Sequence, residues 1–310
     1  MASLISACGK AEIKMPFSDF EIERENVNVT FSKSNALTKG FSEDFVTFVG
    51  DFTEKFQSET GTAGLLIDIN NNDVMFAMNS FEKRFPASIT KVMTCLIALE
   101  KCSLDEVIFV TDEVYNISDP TAVKLGLKPG DTLTMDQALH LCLISSYNDV
   151  AVAIGTHISG SEEEFCKLMN EEAEKLGATN THFTDSNGLG SEEHYSSAYD
   201  LYLIFNKAVK NSNFVEIIQT KEYQTVYHDK NGNEITGKAS STNRFFKDYT
   251  APETVTVIGG KTGTTDDAGY CLILYVKDTY SNPYIAILMG EDSRDSLYSE
   301  MTELLFKIAN

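Results

Sequence analysis

Pro86-Ala87-Ser88-Ile89-Thr90-Lys91 runs directly into Val92, Met93, Leu96, Ile97 and Leu99, an apolar stripe at helical spacing. That stretch predicts a buried helix that starts just after Pro86 and carries Ser88 at its N-terminus. Residues three apart on a helix are neighbours, so Lys91 is delivered one turn on, beside the Ser88 hydroxyl. A serine so placed has a candidate base, and a backbone N–H at a helix start favours developing negative charge. A helix this apolar needs other layers around it, and the flanking sequence supplies them.

Two further motifs follow in order, Ser146-Tyr147-Asn148 and Lys261-Thr262-Gly263. A hydroxyl nucleophile needs a base, a proton relay, an amide to hold the substrate and a cation for a carboxylate, and the three motifs together offer all of these. Each alone is weak: Ser80 with Lys83 repeats the first pattern, and Ser241 with Asn243 the second. Context separates them. Thr134 and Gln137 form a capping box ahead of Ala138 to Ile144, and Val150 to Ile158 is a second apolar run, so Ser146-Tyr147-Asn148 joins two buried helices. Ser80 instead lies between a strand and Pro86, and Ser241 in a polar stretch after a hairpin around Asn231-Gly232.

Upstream, Phe45, Phe48, Val49, Phe52 and Phe56 recur at helical spacing and predict an amphipathic helix packed on a sheet. Ala63 to Ile69 and Val74 to Met78 flank Asn70-Asn71-Asn72-Asp73 as a hairpin. Ser161 with Glu164 caps a helix ending at Gly177, and Ser197 with Asp200 caps one reaching Val209. Strands follow at Val255 to Lys261, Gly269 to Val276 and Tyr284 to Gly290, then a helix from Ser296 to Ile308. The predicted class is α/β in the α+β sense: one antiparallel sheet of about five strands from both ends of the chain, flanked by the terminal helices, with a mostly helical lobe inserted. The site is expected between the lobes.

The chain of 310 residues has a formal charge of -21, which opposes nucleic-acid or anionic-membrane binding through a general field. Any anionic substrate must be met by local cations, and Lys91, Lys261 and Arg294 are the candidates. Six cysteines show neither CxxC nor zinc-type spacing with histidine, and most read as small buried hydrophobes. The five histidines show no HExxH-like pair, which disfavours a metallopeptidase, so no metal or cofactor is expected. No apolar run is long enough to span a bilayer.

Ile5-Ser6-Ala7-Cys8-Gly9 resembles a bacterial lipobox, although the apolar stretch before it is short. Residues 1–7 are therefore expected to be the remnant of a signal sequence, 8–40 a polar tether and 41–310 a two-lobed catalytic domain. Cys8 is the candidate lipidation site.

The chain resembles the serine-type D-alanyl-D-alanine carboxypeptidases, the low-molecular-mass penicillin-binding proteins. The resemblance runs from about residue 41 to 310 and rests on the three motifs, on Gly126-Leu127-Lys128-Pro129-Gly130-Asp131, on the segment His194 to Asp200, and on Gly259 to Thr265. It implies a β-lactamase/DD-peptidase-like fold and an enzyme that removes the terminal D-alanine from peptidoglycan stem peptides through an acyl-enzyme. Penicillins would acylate the same serine.

By position, Ser88 is then the nucleophile, Lys91 its base and Ser146 a proton relay. Asn148 holds the substrate amide, Lys261 and Thr262 of the Lys-Thr-Gly motif that Gly263 completes face the terminal carboxylate, and Arg294 helps bind it. The N–H groups of Ser88 and Thr264 form the oxyanion hole. Burial and the nearby Lys261 charge would let Lys91 stay neutral near physiological pH.

The chain departs from the family pattern in carrying Tyr147 where glycine is common, and it is expected to have neither a C-terminal β-domain nor an amphipathic membrane helix. A lipid at Cys8 would replace that anchor, on the extracytoplasmic face of a bacterial membrane; otherwise the protein is secreted. The expected partners are stem peptides ending in D-Ala-D-Ala and β-lactam antibiotics, with no nucleic acid and with membrane only through the N-terminal lipid. The alternatives are a β-lactamase-like hydrolase and a non-catalytic penicillin-binding sensor. Against the first, the Glu-x-x-Leu-Asn pattern is absent after Ser146, Cys166-Lys167-Leu168-Met169-Asn170 being the nearest approach.

Overall fold

In the first strand, β1 (Ala63–Asp68), Leu65 and Ile67 point to one side, Leu66 points to the other, and all three are fully buried. A strand apolar on both faces belongs in the interior of a covered sheet, because successive side chains alternate sides. The computed structural model describes Val46, Phe48, Gly50, Asp51 and residues 62–308 except Ser191, and it places β1 in such a sheet.

β1 pairs with β2 (Asp73–Met78) as the expected hairpin and, on its other side, with β9 (Pro283–Glu291). The sheet continues through β8 (Gly269–Asp278) to β7 (Val255–Thr265), giving the order β2-β1-β9-β8-β7 with every pair antiparallel. Both ends of the chain thus build one five-stranded sheet, as expected. Helix α7 (Arg294–Phe306) covers one face, setting Leu297, Tyr298, Met301, Leu304 and Leu305 against Leu66, Phe76, Leu272, Leu274 and Leu288. Ser293 caps it by accepting the Ser296 N–H.

The other face receives the helical lobe. Every residue of α1 (Lys91–Lys101) from Lys91 to Ala98 is buried, so this helix is central rather than amphipathic. Around it stand α2 (Met135–Ile144), α3 (Asn148–Ser159), α4 (Glu162–Lys175), α5 (Ala198–Ala208) and α6 (Ser212–Gln219). The capping box of Thr134 and Gln137 forms in both directions. Ser161 and Ser197 cap α4 and α5 as expected.

The structure corrects the expectation in two places. The inserted lobe holds a second antiparallel sheet, β3-β4-β5-β6, built from β3 (Val107–Phe109), β4 (Thr132–Thr134), β5 (Glu222–His228) and β6 (Glu234–Ser240). Two of its strands have only three residues, too short for alternation to register. The helix expected over Phe45 to Phe56 is absent from its four described residues: Gly50 has φ of +80°, and Phe48 packs on the Phe81 and Tyr199 rings. The remnant 1–7, the tether 8–40 and Cys8 lie outside the described residues.

Candidate active site

Pro86 leads into a single 3-10 turn over Ala87–Thr90, which continues as α1 from Lys91. Ser88 therefore precedes the α-helix on that turn, and Lys91 is its first residue. The tighter winding still brings Lys91 Nζ to 2.9 Å from Ser88 Oγ. Ala87, just before the serine, holds φ of +47°, a conformation that costs a non-glycine residue free energy and persists only where packing enforces it.

Ser146 also holds a positive φ, +62°, at the break between α2 and α3. Its neighbours pin the break to β6. Ser145 Oγ accepts from Ser240 N at 2.8 Å and donates to its carbonyl at 3.2 Å, and the Tyr147 hydroxyl donates to the Lys238 carbonyl at 2.8 Å. The tyrosine that replaces the usual glycine is thus a strut between the helix junction and the second sheet.

The third motif lies on β7, the edge strand of the large sheet beside the Ser88 turn. Lys261 Nζ donates to Ser146 Oγ at 2.9 Å and to the Thr262 carbonyl at 2.9 Å. Gly263 backs directly on the serine turn: a Cβ there would stand 2.8 Å from the Pro86 carbonyl oxygen and 3.2 Å from Ser88 N. Glycine at 263 is what allows the strand edge and the nucleophile's backbone to approach this closely. Thr264 follows, exposed.

Lys91 and Lys261 are both buried, at 0% and 1% exposure, while the Ser88 and Ser146 hydroxyls are half-buried. Removal from water disfavours an ammonium, so burial pushes Lys91 down to about 8. Burial first, and the Lys91 charge second, push Lys261 down to about 7. Two like charges share one dry site, and the pair sheds a proton near neutral pH.

Hydrogen bonding indicates what a neutral Lys91 does. Its nitrogen has three oxygen neighbours: Ser88 Oγ, Asn148 Oδ1 at 2.7 Å and the Asn187 carbonyl at 2.5 Å. The last two can only accept. A neutral amine has two N–H bonds and one lone pair, so donating to both leaves the lone pair for the Ser88 proton.

Asn148 is 4% exposed and its carboxamide is engaged at both ends, Oδ1 with Lys91 and Nδ2 with the Val123 carbonyl at 3.0 Å. In this arrangement it orients the lysine, and one N–H of Nδ2 remains for a substrate amide. Thr262 Oγ1 lies 2.6 Å from Thr242 Oγ1 on the cleft edge. Arg294 occupies the first turn of α7, exposed, with its guanidinium 5.9 Å from the Tyr270 ring centre. Tyr270 is the cross-strand partner of Thr264, so Arg294 stands at the Thr264 end of β7 without touching the lysine pair.

Several supporting residues were given no role from the sequence, although His194 opens one of the segments that carry the resemblance. Asp149, next to Asn148, is 2% exposed and accepts the N–H groups of Leu125, Gly126 and Leu127 at 2.9, 2.7 and 2.9 Å. It holds the loop that supplies Val123. His194 bonds Thr90 Oγ1 through Nε2 at 2.8 Å while Nδ1 accepts from Thr184 N at 3.1 Å, which makes Nε2 the protonated nitrogen. Burial keeps this histidine's pKa low and the ring neutral.

Asn187 belongs to a loop pressed on the serine turn: Thr94 Oγ1 bonds the Ser186 carbonyl at 2.6 Å, and a Cβ on Gly188, whose φ is +87°, would stand 1.9 Å from the Ala87 carbonyl oxygen. Glu162 anchors the same loop by accepting from Ser186 N and Oγ, both at 2.7 Å, and burial raises its pKa to about 7. A backbone carbonyl as a lysine ligand leaves no residue-type signal, although Asp185-Ser186-Asn187-Gly188 reads as a loop near the cleft.

The duplicate motifs have structural roles. Ser80 is buried against Asp51, and Asn243 caps a 3-10 turn at Arg244–Phe246.

Residues 52–293 match the family model described as D-alanyl-D-alanine carboxypeptidase. D-alanyl-D-alanine carboxypeptidase DacF of Bacillus subtilis is 34% identical over 260 residues, which cover 83% of this chain and 64% of that protein. DacB2 of Mycobacterium tuberculosis, of the same description, is 30% identical over 208 residues, 66% of each chain. The chain thus spans about two thirds or less of the length of these curated relatives. Among solved structures, a Streptomyces DD-transpeptidase superposes with a TM-score of 0.73 at 25% identity, covering 83% of this chain and all of that one. With the three motifs converging on one cleft and the family model matching most of its length, the chain belongs to the D-alanyl-D-alanine carboxypeptidase family.

Proposed function

We propose that the protein is a serine-type D-Ala-D-Ala carboxypeptidase that removes the terminal D-alanine from peptidoglycan stem peptides. One observation carries the reading: among the described residues the buried Lys91 nitrogen bonds two obligate acceptors and the Ser88 hydroxyl. That is the arrangement of a nucleophile with its base in place.

Neutral Lys91 takes the Ser88 proton as Oγ attacks the carbonyl of the penultimate D-alanine. The carbonyl π electrons move to oxygen, where the N–H groups of Ser88 and Thr264 receive the negative charge. Collapse breaks the C–N bond, and the leaving amine takes a proton by way of Ser146, whose hydroxyl is backed by Lys261. Water then attacks the acyl-enzyme and releases the shortened peptide, returning the proton to Ser88. Lys261, Thr262 and Arg294 form the cationic, hydroxyl-bearing end of the cleft that suits a terminal carboxylate. A β-lactam carries an acyl carbon and a carboxylate in similar relation and acylates the same serine.

The partners in this reading are stem peptides and β-lactams. Its place is the extracytoplasmic face of a bacterial membrane, held by lipid on Cys8 after the lipobox-like Ile5-Ser6-Ala7. Incubation with a pentapeptide ending in D-Ala-D-Ala, followed by product analysis, tests the activity: one equivalent of free D-alanine per tetrapeptide is expected. An unchanged pentapeptide from folded protein contradicts it.

A further inference from the structure

At the far end of α1 and α3 from the catalytic cluster, three side chains of metal-ligating type converge. Cys102 is the C-cap of α1, His157 lies in the last turn of α3, and Glu106 closes the turn after Cys102. Their Sγ, Nε2 or Nδ1 and carboxylate oxygen atoms lie within 4.8 Å of one another, and all three residues are half-buried. We propose that Cys102, Glu106 and His157 form a binding site for one zinc-class divalent cation.

The chemistry selects the class. One thiolate, one imidazole and one carboxylate make a mixed S/N/O set that suits Zn²⁺, whereas Mg²⁺ and Ca²⁺ take all-oxygen shells. Tetrahedral zinc at ordinary bond lengths holds S and N about 3.6 Å apart and N and O about 3.3 Å apart. His157 Nε2 and Glu106 Oε1 now share a hydrogen bond of 2.9 Å, so replacing that proton by a metal moves them by only a few tenths of an ångström. Binding converts the Cys102 thiol to thiolate and releases its proton to solvent. Thiolate and carboxylate together then balance the dication, and the half-exposed position leaves the fourth place to water.

The frame is held independently of any metal. The second Glu106 oxygen accepts from Ser103 N at 3.3 Å, the kind of outer partner that orients a ligating carboxylate. The Glu106 carbonyl accepts from Met135 N at 2.8 Å and the Leu104 carbonyl from Asp136 N at 2.9 Å, so the start of α2 pins the turn. The position has a consequence for the fold. α1 and α3 start side by side at Lys91 and Asn148, which share a 2.7 Å bond, and a cation at Cys102 and His157 would tie the same two helices at their other ends. The anchor points on α1 are roughly 16 Å apart at the helical rise per residue.

Tag-free protein, stripped with chelator and exchanged into metal-free buffer, is titrated with Co²⁺. The expected result is a thiolate-to-cobalt charge-transfer band with tetrahedral ligand-field bands, saturating at one equivalent. Cys102→Ala should abolish the charge-transfer band, and His157→Gln and Glu106→Gln should each weaken binding roughly tenfold or more. In unaltered protein, Zn²⁺ should slow alkylation of Cys102, mapped by peptide mass spectrometry, which decides the matter even if a variant fails to fold. Absence of the band, its persistence in Cys102→Ala, or alkylation of Cys102 indifferent to Zn²⁺ overturns the proposal. None of these readouts depends on catalytic activity.

Discussion

Lys91 Nζ lies 2.9 Å from Ser88 Oγ, and its other two oxygen neighbours, from Asn148 and Asn187, can only accept. The relation has a pH signature, because only the neutral amine can take the serine proton. Lys91 is pushed down to about 8 and Lys261 to about 7, so the penicillin acylation rate should be low in acid and rise through pH 7 to 8 to a plateau. Lys261 is the lower of the two and is held down partly by the Lys91 charge, so it is already neutral when Lys91 loses its proton. In Lys261→Ala the rising limb should therefore stay in place while the plateau falls. A limb that moves to higher pH shows that Lys261 is still charged when Lys91 titrates. Lys91→Met should lower acylation by ~100- to 10,000-fold with the circular dichroism spectrum unchanged.

Asp149 offers a test of the scaffold apart from the chemistry. Its carboxylate accepts the backbone N–H groups of Leu125, Gly126 and Leu127 as well as that of Val150, and its loss frees the whole loop and leaves the buried Leu127 donor without its partner. Asp149→Ala should destabilise the protein by roughly 2–4 kcal/mol in urea denaturation. A change within ~0.5 kcal/mol, the range of ordinary surface substitutions, means the loop finds other partners.

Much of this arrangement was legible beforehand. The hairpin, the last three strands and the capped helices carry strong local signals, as Thr134 with Gln137 illustrates: one capping box placed α2 and, with it, the Ser146 junction. Of the second sheet only the β5–β6 hairpin around Asn231-Gly232 was legible, since β3 and β4 are three residues each and owe their pairing to chain topology. The same holds within the site. Ser88, Lys91, Ser146 and Lys261 are marked by residue type and spacing, whereas the Asn187 carbonyl, the Thr242 hydroxyl and the His194 ring reach it from distant segments with no shared pattern. Tyr147 is the instructive case. Its place between Ser146 and Asn148 assigned it no structural role, whereas in the fold its hydroxyl bonds the Lys238 carbonyl on β6.

Arg294 stands at the Thr264 end of β7 and is assigned to the substrate carboxylate. Arg294→Ala should weaken peptide processing chiefly through binding, and a C-terminally amidated substrate should lose little further rate in that variant. Enzyme and substrate changes then form a double-mutant cycle, in which a shared contact gives non-additive losses. If the two losses simply add, the arginine does not read the carboxylate. Arg244, whose guanidinium is bonded to Asp248 and Asp295, then becomes relevant only through the first turn of α7 that it holds.

The central claim is that Ser88 is an acylable nucleophile, and one measurement addresses it directly. Intact-protein mass spectrometry after incubation with benzylpenicillin should show one added penicilloyl group, of the whole drug's mass because ring opening expels no leaving group. Peptide mapping should place it on Ser88, and Ser88→Ala should take up none. An adduct on any other residue, or uptake by Ser88→Ala equal to that of unaltered protein, would contradict the account.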